Sequence, residues 1–324
     1  MLRPRYRPAW KPTWETDKSR HPNEFEDYYT LPPRDHLIDA TRVNDGKLVY
    51  VKRVATGDTE SQIIMKFSSP ASRLDPRNHC VPVLDYFTDD EDSSISYIVM
   101  PFLRPVDYPP LETINDVAVF VSQLMEGLIF MHEQGVAHRD CSEKNLLMDA
   151  DLLFPKGFHP VRMDNLPDGR RSATQLSRRA ARVTYYYVDF GISVFIPPDK
   201  QPKLALGGYG RDQDVPELSF EVPYDPFKVD IFILGNTFRR EIYENFSNVD
   251  FLLPLINAMT QNEPEARPDA VAAEKMWREI SAKLYKLQRG WRLRGRKELW
   301  AEKVVFDSFS AVKQLFGWMT DLQG

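Results

Sequence analysis

Two textures follow one another along this chain, and their order restricts the fold more than any single residue does. From Leu37, LIDATRV, the turn Asn44-Asp45-Gly46 and KLVYVKRV predict a strand, a tight turn and a second strand. DTESQIIMKF (58–67) predicts a short helix with Ile63, Ile64 and Phe67 on one side. VPVLDYF and ISYIVMPFL predict two further strands, separated by the acidic loop Thr88–Ser94. After Pro105 the texture is helical. DVAVFVSQLMEGLIFMHEQG (116–135) repeats apolar residues at helical spacing and stops at Gly135, and helical stretches follow around 227–245, 250–260 and 269–287. The expected fold is α+β. A small antiparallel β lobe with one helix occupies 34–104, and a larger, mainly α lobe occupies 105–287. An irregular arm over 1–33, rich in proline and aromatics, precedes them, and a tail over 288–324 follows.

Composition narrows the class. Hydrophobic content of 42% supports a sizeable core, and a formal charge of −5 argues against a generally cationic nucleic-acid binder. Two cysteines, Cys80 and Cys141, argue against a disulfide scaffold, so a reducing compartment is expected: intracellular, cytoplasmic or nuclear. The proline-rich start has no apolar stretch behind it, and no run was expected to reach the ~18–20 apolar residues that cross a bilayer.

The polar residues that carry chemistry fall in a fixed order. Asp140 follows His138 and Arg139, Asn145 stands five residues on, and Asp189-Phe190-Gly191 ends the strand-like YYYV. Phosphoryl transfer needs a carboxylate near the attacking hydroxyl and oxygen ligands that hold Mg²⁺ against the phosphates. In this order the residues resemble the catalytic and metal-binding loops of eukaryotic protein kinases, and the resemblance runs from about 37 to 287. It implies the two-lobed kinase fold, ATP and Mg²⁺ as cofactors, and a protein substrate, with a serine or threonine hydroxyl as the expected acceptor. Asp140 would be the catalytic base, with Asn145 and Asp189 on the metal. Lys52, ending VYVK, would bind the α- and β-phosphates, held by Glu60. His138, Arg139, Phe190 and Gly191 would support this geometry. Val215-Pro216-Glu217 resembles the close of an activation segment, Asp230 the anchor of the catalytic loop, and Arg267 the partner of Glu217. RPAWKPTW and DPRNHCVP (75–82) resemble kinase-like proteins abundant in mushroom-forming fungi.

The chain also departs from that family. The glycine-rich turn over the phosphates falls at TLPPRD, near Thr30–Asp35, which has no glycine; glycine lets backbone N–H groups approach phosphate closely, and proline cannot donate. Tyr50 replaces the alanine that makes room for adenine. Ser142 stands where serine/threonine kinases have lysine, leaving Lys144 as the candidate for the γ-phosphate or as a solvent-facing loop charge. Between Asp189 and Glu217 the hydroxyl-bearing side chains are Ser193 and Tyr209, so Asp212 or Asp214 is expected to pair with Arg139 in place of a phosphothreonine. The insertion at about 154–182 holds Lys156, Arg162, Arg170, Arg171, Arg178, Arg179 and Arg182. It is expected to be solvated and mobile, or to dock an acidic partner. VVFDSFSAVKQLFGWM in the tail has the makings of an amphipathic helix. Three functions fit: a protein kinase, a pseudokinase scaffold with weak or no nucleotide turnover, and a small-molecule phosphotransferase. The Glu217 and Arg267 markers disfavour the third.

Overall fold

A computed structural model describes residues 1–31, 36–308 and 310. They divide into two compact units. The first comprises Met1–Asp75, Cys80–Arg104 and Met148–Thr184; the second comprises Pro76–His79, Pro105–Leu147 and the chain from Tyr185 onwards. Helices and antiparallel sheets are mixed, so the architecture is α+β.

The first unit is built on a four-stranded antiparallel sheet of β1 (Leu37–Thr41), β2 (Leu48–Ala55), β3 (Asp85–Thr88) and β4 (Ile95–Pro101), in the order β1-β2-β4-β3. The Asn44-Asp45-Gly46 turn joins β1 to β2 as expected, with Gly46 at φ +72°. Helix α1 (Thr59–Ser68) begins at Asp58, whose carboxylate accepts from the Ser61 N–H at 2.7 Å, and it buries Ile63, Ile64 and Phe67 as its spacing predicts. The stretch VPVLDYF is strand only from Asp85, because the Val83 N–H is taken by the Ser68 hydroxyl.

The arm and the insertion both fold into this unit. Asp39, on β1, is fully buried and is met by Arg3 at 3.5 Å and by the Tyr6 hydroxyl at 2.8 Å. Arg3 also donates to Glu26 and to the Tyr29 carbonyl, each at 2.7 Å, so one side chain fastens both ends of the arm to the sheet. Asp27 holds the intervening residues, accepting from the Trp10 indole and from the Thr13 amide and hydroxyl. The insertion is not the solvated loop its charge suggested. Arg104 lies fully buried against the rings of Phe154 and Phe158 and donates to the Met163 carbonyl. Arg162 reaches the Gly169 carbonyl and the Tyr29 hydroxyl, Arg170 the Glu24 carbonyl, and Arg178 is buried beside Met148. Three of the insertion's cations are therefore spent on internal contacts, and Arg171 among the rest stays exposed.

In the second unit, α2 (Ile114–Glu133) starts at a capping box: Thr113 accepts from the Asp116 N–H and Asp116 accepts from the Thr113 N–H. Val117, Phe120, Val121, Leu124, Leu128 and Met131 are buried along it at helical spacing. The helix is long and apolar enough to cross a membrane, contrary to the expectation that no run would be, but 72% of that window is buried within the protein. It packs on α5 (Ala270–Ala282), where the Trp277 indole donates to the Ser122 hydroxyl at 2.8 Å. Two short strands, β5 (Ala205–Gly207) and β6 (Ser219–Tyr224), precede α3 (Pro226–Phe238), and α4 (Leu253–Met259) packs between α3 and α5. Both helices expected to be longer are broken: α3 passes into a π turn at Arg239–Tyr243, and α5 ends at Ala282 before a separate turn, Lys286–Gly290. Residues 300–308 are helical; the remainder of the expected tail helix, beyond 310, lies outside the described residues.

Arg3→Ala should destabilise the first unit by about 3–5 kcal/mol, because it strands a buried carboxylate. Urea unfolding checks this, and in an Asp39→Asn background the same substitution should cost clearly less.

Candidate active site

Lys52 lies on β2 opposite Leu37 and Ile98, and Glu60 lies in the first turn of α1. Their charged ends meet at 2.5 Å, with side chains only 12 and 11% exposed. So sheltered a pair fixes the amine's direction more surely than it adds stability. Tyr50 shares the Lys52 face of β2 by alternation, and its ring stacks on Phe102 with centroids 4.3 Å apart and planes 19° apart. Of the TLPPRD segment, residues 32–35 lie outside the described residues. Among those described, no strand of the sheet precedes β1. Its outer edge is bridged by Leu2 opposite Ala40, and the Thr41 N–H donates to the Met1 carbonyl.

The second unit gathers the catalytic loop around one buried carboxylate. Asp230, on α3, is fully buried and accepts from the His138 N–H at 2.8 Å, the Arg139 N–H at 2.5 Å and the His132 ring at 2.9 Å. This holds Arg139 at φ +67°, a left-handed conformation costly for a non-glycine residue. Asp140 follows, 9% exposed. One of its carboxylate oxygens accepts from the Asn145 amide at 2.8 Å and the other from the Arg211 N–H at 3.0 Å. Asn145 sits in the 3₁₀ turn Glu143–Asn145, and its amide also donates to the Asp140 carbonyl. The Asn145 carbonyl accepts from the Val188 N–H at 3.0 Å, which places Asp189 one residue beyond the contact. Asp189 is exposed, at φ +64°. His138 accepts the Asp140 N–H on Nδ1 at 3.3 Å, so its Nε2 carries the proton donated to the Val188 carbonyl at 3.0 Å, and its ring lies 4.9 Å from that of buried Phe190. Glu217 and Arg267 form a two-point ion pair, the longer contact 2.8 Å. Arg267 also donates to the Gln261, Asn262 and Lys228 carbonyls.

One site expectation is corrected. Arg139 has neither Asp212 nor Asp214 as partner: Asp212 accepts from Asn236 at 2.9 Å and from Arg240, and Asp214 pairs with Arg240 at 2.5 Å. Arg139 donates instead to the Ile192, Leu206 and Gly207 carbonyls and to the Tyr224 hydroxyl. Of the two readings of Lys144, the structure shows the solvent-facing loop charge. It is 64% exposed, 3.8 Å from Glu143, near Glu241, whose carboxyl is raised above its usual range by burial and by the Glu143 and Asp107 charges. Sequence reasoning missed Tyr224, His132, Arg240 and the Arg211 amide. Only the glycines of GGYG (207–210) signalled that a backbone passes close to something here.

The donor set for a metal is sparse. Among the described residues no group of three or more His, Cys, Asp or Glu could hold an ion alone. Asn145 spends its NH₂ on Asp140 and so leaves its amide oxygen free to ligate, while Asp189 follows in the chain directly after Val188, whose N–H meets the Asn145 carbonyl. One amide oxygen and one carboxylate fit Mg²⁺ that takes its other ligands from nucleotide phosphates and water.

No family model matches the chain. It is similar to protein kinases over part of its length. The serine/threonine-protein kinase chk1 of Schizosaccharomyces pombe is 36% identical over 73 residues, 21% of this chain and 15% of that protein. MAP3K epsilon protein kinase 1 of Arabidopsis thaliana is 36% identical over 120 residues, 34% of this chain and 9% of that one. MAP kinase kinase kinase SSK2 of Saccharomyces cerevisiae is 25% identical over 121 residues, 35% of this chain and 8% of that one. The matches thus span under a sixth of each of these relatives.

Asp230→Ala should leave two buried backbone donors unmet and cost about 2–6 kcal/mol in urea unfolding, at roughly 1–3 kcal/mol for each donor.

Proposed function

We propose that this chain is a protein kinase that transfers the γ-phosphoryl group of ATP to a serine or threonine hydroxyl of a protein substrate. One observation carries the reading. The Asp140 carboxylate is hydrogen-bonded to Asn145, and Asn145 is tied by its backbone to the residue before Asp189, so a candidate base and two candidate metal ligands share one small framework. Asp140 would accept the proton of the attacking hydroxyl as its oxygen bonds to the γ-phosphorus and the bond to the β–γ bridging oxygen breaks, releasing ADP. Lys52, braced by Glu60, would hold the α- and β-phosphates. Asn145 and Asp189 would hold Mg²⁺, which when bound neutralises phosphate charge. Lys144 would have to turn away from Glu143 to reach a phosphate, and we assign it no step. Similarity to protein kinases and the Glu217–Arg267 pair favour a protein over a small-molecule acceptor.

A second reading rests on Tyr50. Its ring, stacked on Phe102 beside the Lys52 face, and the lack of glycine in TLPPRD suit a scaffold that turns over nucleotide weakly or not at all. Mg²⁺-dependent nucleotide binding and phosphoryl transfer, measured for wild type, Asp140→Asn and Tyr50→Ala, separate the two. The kinase reading expects transfer by wild type and a loss of about 10²–10⁴-fold in Asp140→Asn. Nucleotide binding seen only in Tyr50→Ala, with no transfer by wild type, would support the scaffold.

A further inference from the structure

The segment between Asp189 and Glu217 is fastened without any phosphate. Of its two hydroxyl-bearing side chains, Ser193 is 6% exposed and donates to the His138 carbonyl at 3.1 Å, and Tyr209 points outward, 67% exposed. The fastening is done by Arg139. Its guanidinium is buried and reaches four oxygens: the Ile192 carbonyl at 3.1 Å, Leu206 at 3.0 Å, Gly207 at 3.1 Å and the Tyr224 hydroxyl at 2.5 Å. No carboxylate among the described residues pairs with it. A buried cation needs this many dipoles when no counter-charge is present.

Tyr224 closes the arrangement. Its hydroxyl accepts from Arg139 and donates to the Gly207 carbonyl at 2.5 Å, and the β5–β6 pairing sets it opposite Ala205. The backbone lies directly on the guanidinium. A Cβ at Gly207, where φ is +124°, would stand 2.6 Å from Arg139 Nη2, and one at Gly210, φ +135°, would stand 3.2 Å from the Arg139 carbonyl oxygen. One residue beyond Gly210, the Arg211 N–H meets the Asp140 carboxylate.

We propose that Tyr224 is a positioning residue: with Arg139 it clamps residues 206–210 by uncharged contacts, and the clamped segment aims the Arg211 amide at Asp140. The segment is then set as the chain folds, with no modification needed. The activity arm of the test rests on the kinase reading above; the exchange arm does not.

The test compares full-length wild type, Tyr224→Phe and Gly207→Ala. Phosphatase treatment of wild type should leave transfer unchanged. Tyr224→Phe should lower kcat about tenfold, the worth of about one buried hydrogen bond, with KM for ATP unchanged. Amides at 206–211 should exchange hydrogen at least about tenfold faster in both variants, while those of α2 keep their wild-type protection. Loss of activity on phosphatase treatment would overturn the proposal, as would unchanged exchange at 206–211 in Tyr224→Phe. If wild type transfers nothing, the kinase reading fails and exchange alone decides: faster exchange upholds the clamp, unchanged exchange removes it.

Discussion

A carboxylate with no exposure to water organises the second unit. Asp230 arrives from the buried face of α3, among Val229, Ile231 and Ile233, and must find donors or cost several kcal/mol. It finds two consecutive backbone amides and a histidine ring. That choice forces the chain at Arg139 into a left-handed conformation and so fixes where Asp140 emerges. The rest follows in steps: Asp140 is taken up by Asn145, Asn145 by Val188, and Arg139 by the carbonyls of the segment beyond. The polar residues assigned to catalysis are thus supported by a shell of backbone hydrogen bonds, which is what precise placement requires.

Much of this was legible in the sequence, for a definite reason. Helical spacing in 116–135 and the alternation around Lys52 report local periodicity, and α2 and β2 form where those patterns fall. The Lys52–Glu60 contact and the Glu217–Arg267 pair join residues that the kinase resemblance had already matched. What stayed hidden depends on tertiary context. Nothing local says that Arg178 will be buried, since a run of arginines reads as a solvated surface until the groups that receive it are found. Arg139 was expected to seek an acid because charge suggests charge. Carbonyl oxygens met its geometry instead, and Arg240 claimed the acids.

Two features of the first unit pull against each other. Its lysine and glutamate are set close, as a phosphate-binding pair should be, yet the same sheet face carries the stacked Tyr50 and Phe102 rings. The edge of β1 is bridged by the arm, through Leu2 and Met1, and the buried Arg3–Asp39 contact holds that arm down. On the proposed kinase reading, this sheet would hold phosphate through side chains and not through glycine amides.

The proposed kinase reading requires Asn145 and Asp189 to hold a metal together with a nucleotide. Electron paramagnetic resonance of Mn²⁺, titrated against the full chain with and without a non-hydrolysable ATP analogue, tests it most directly. Mn²⁺ binding should require the analogue and be lost in an Asn145→Ala, Asp189→Asn double variant that remains folded. Mn²⁺ that ignores the analogue, or binds equally well to the double variant, would contradict it.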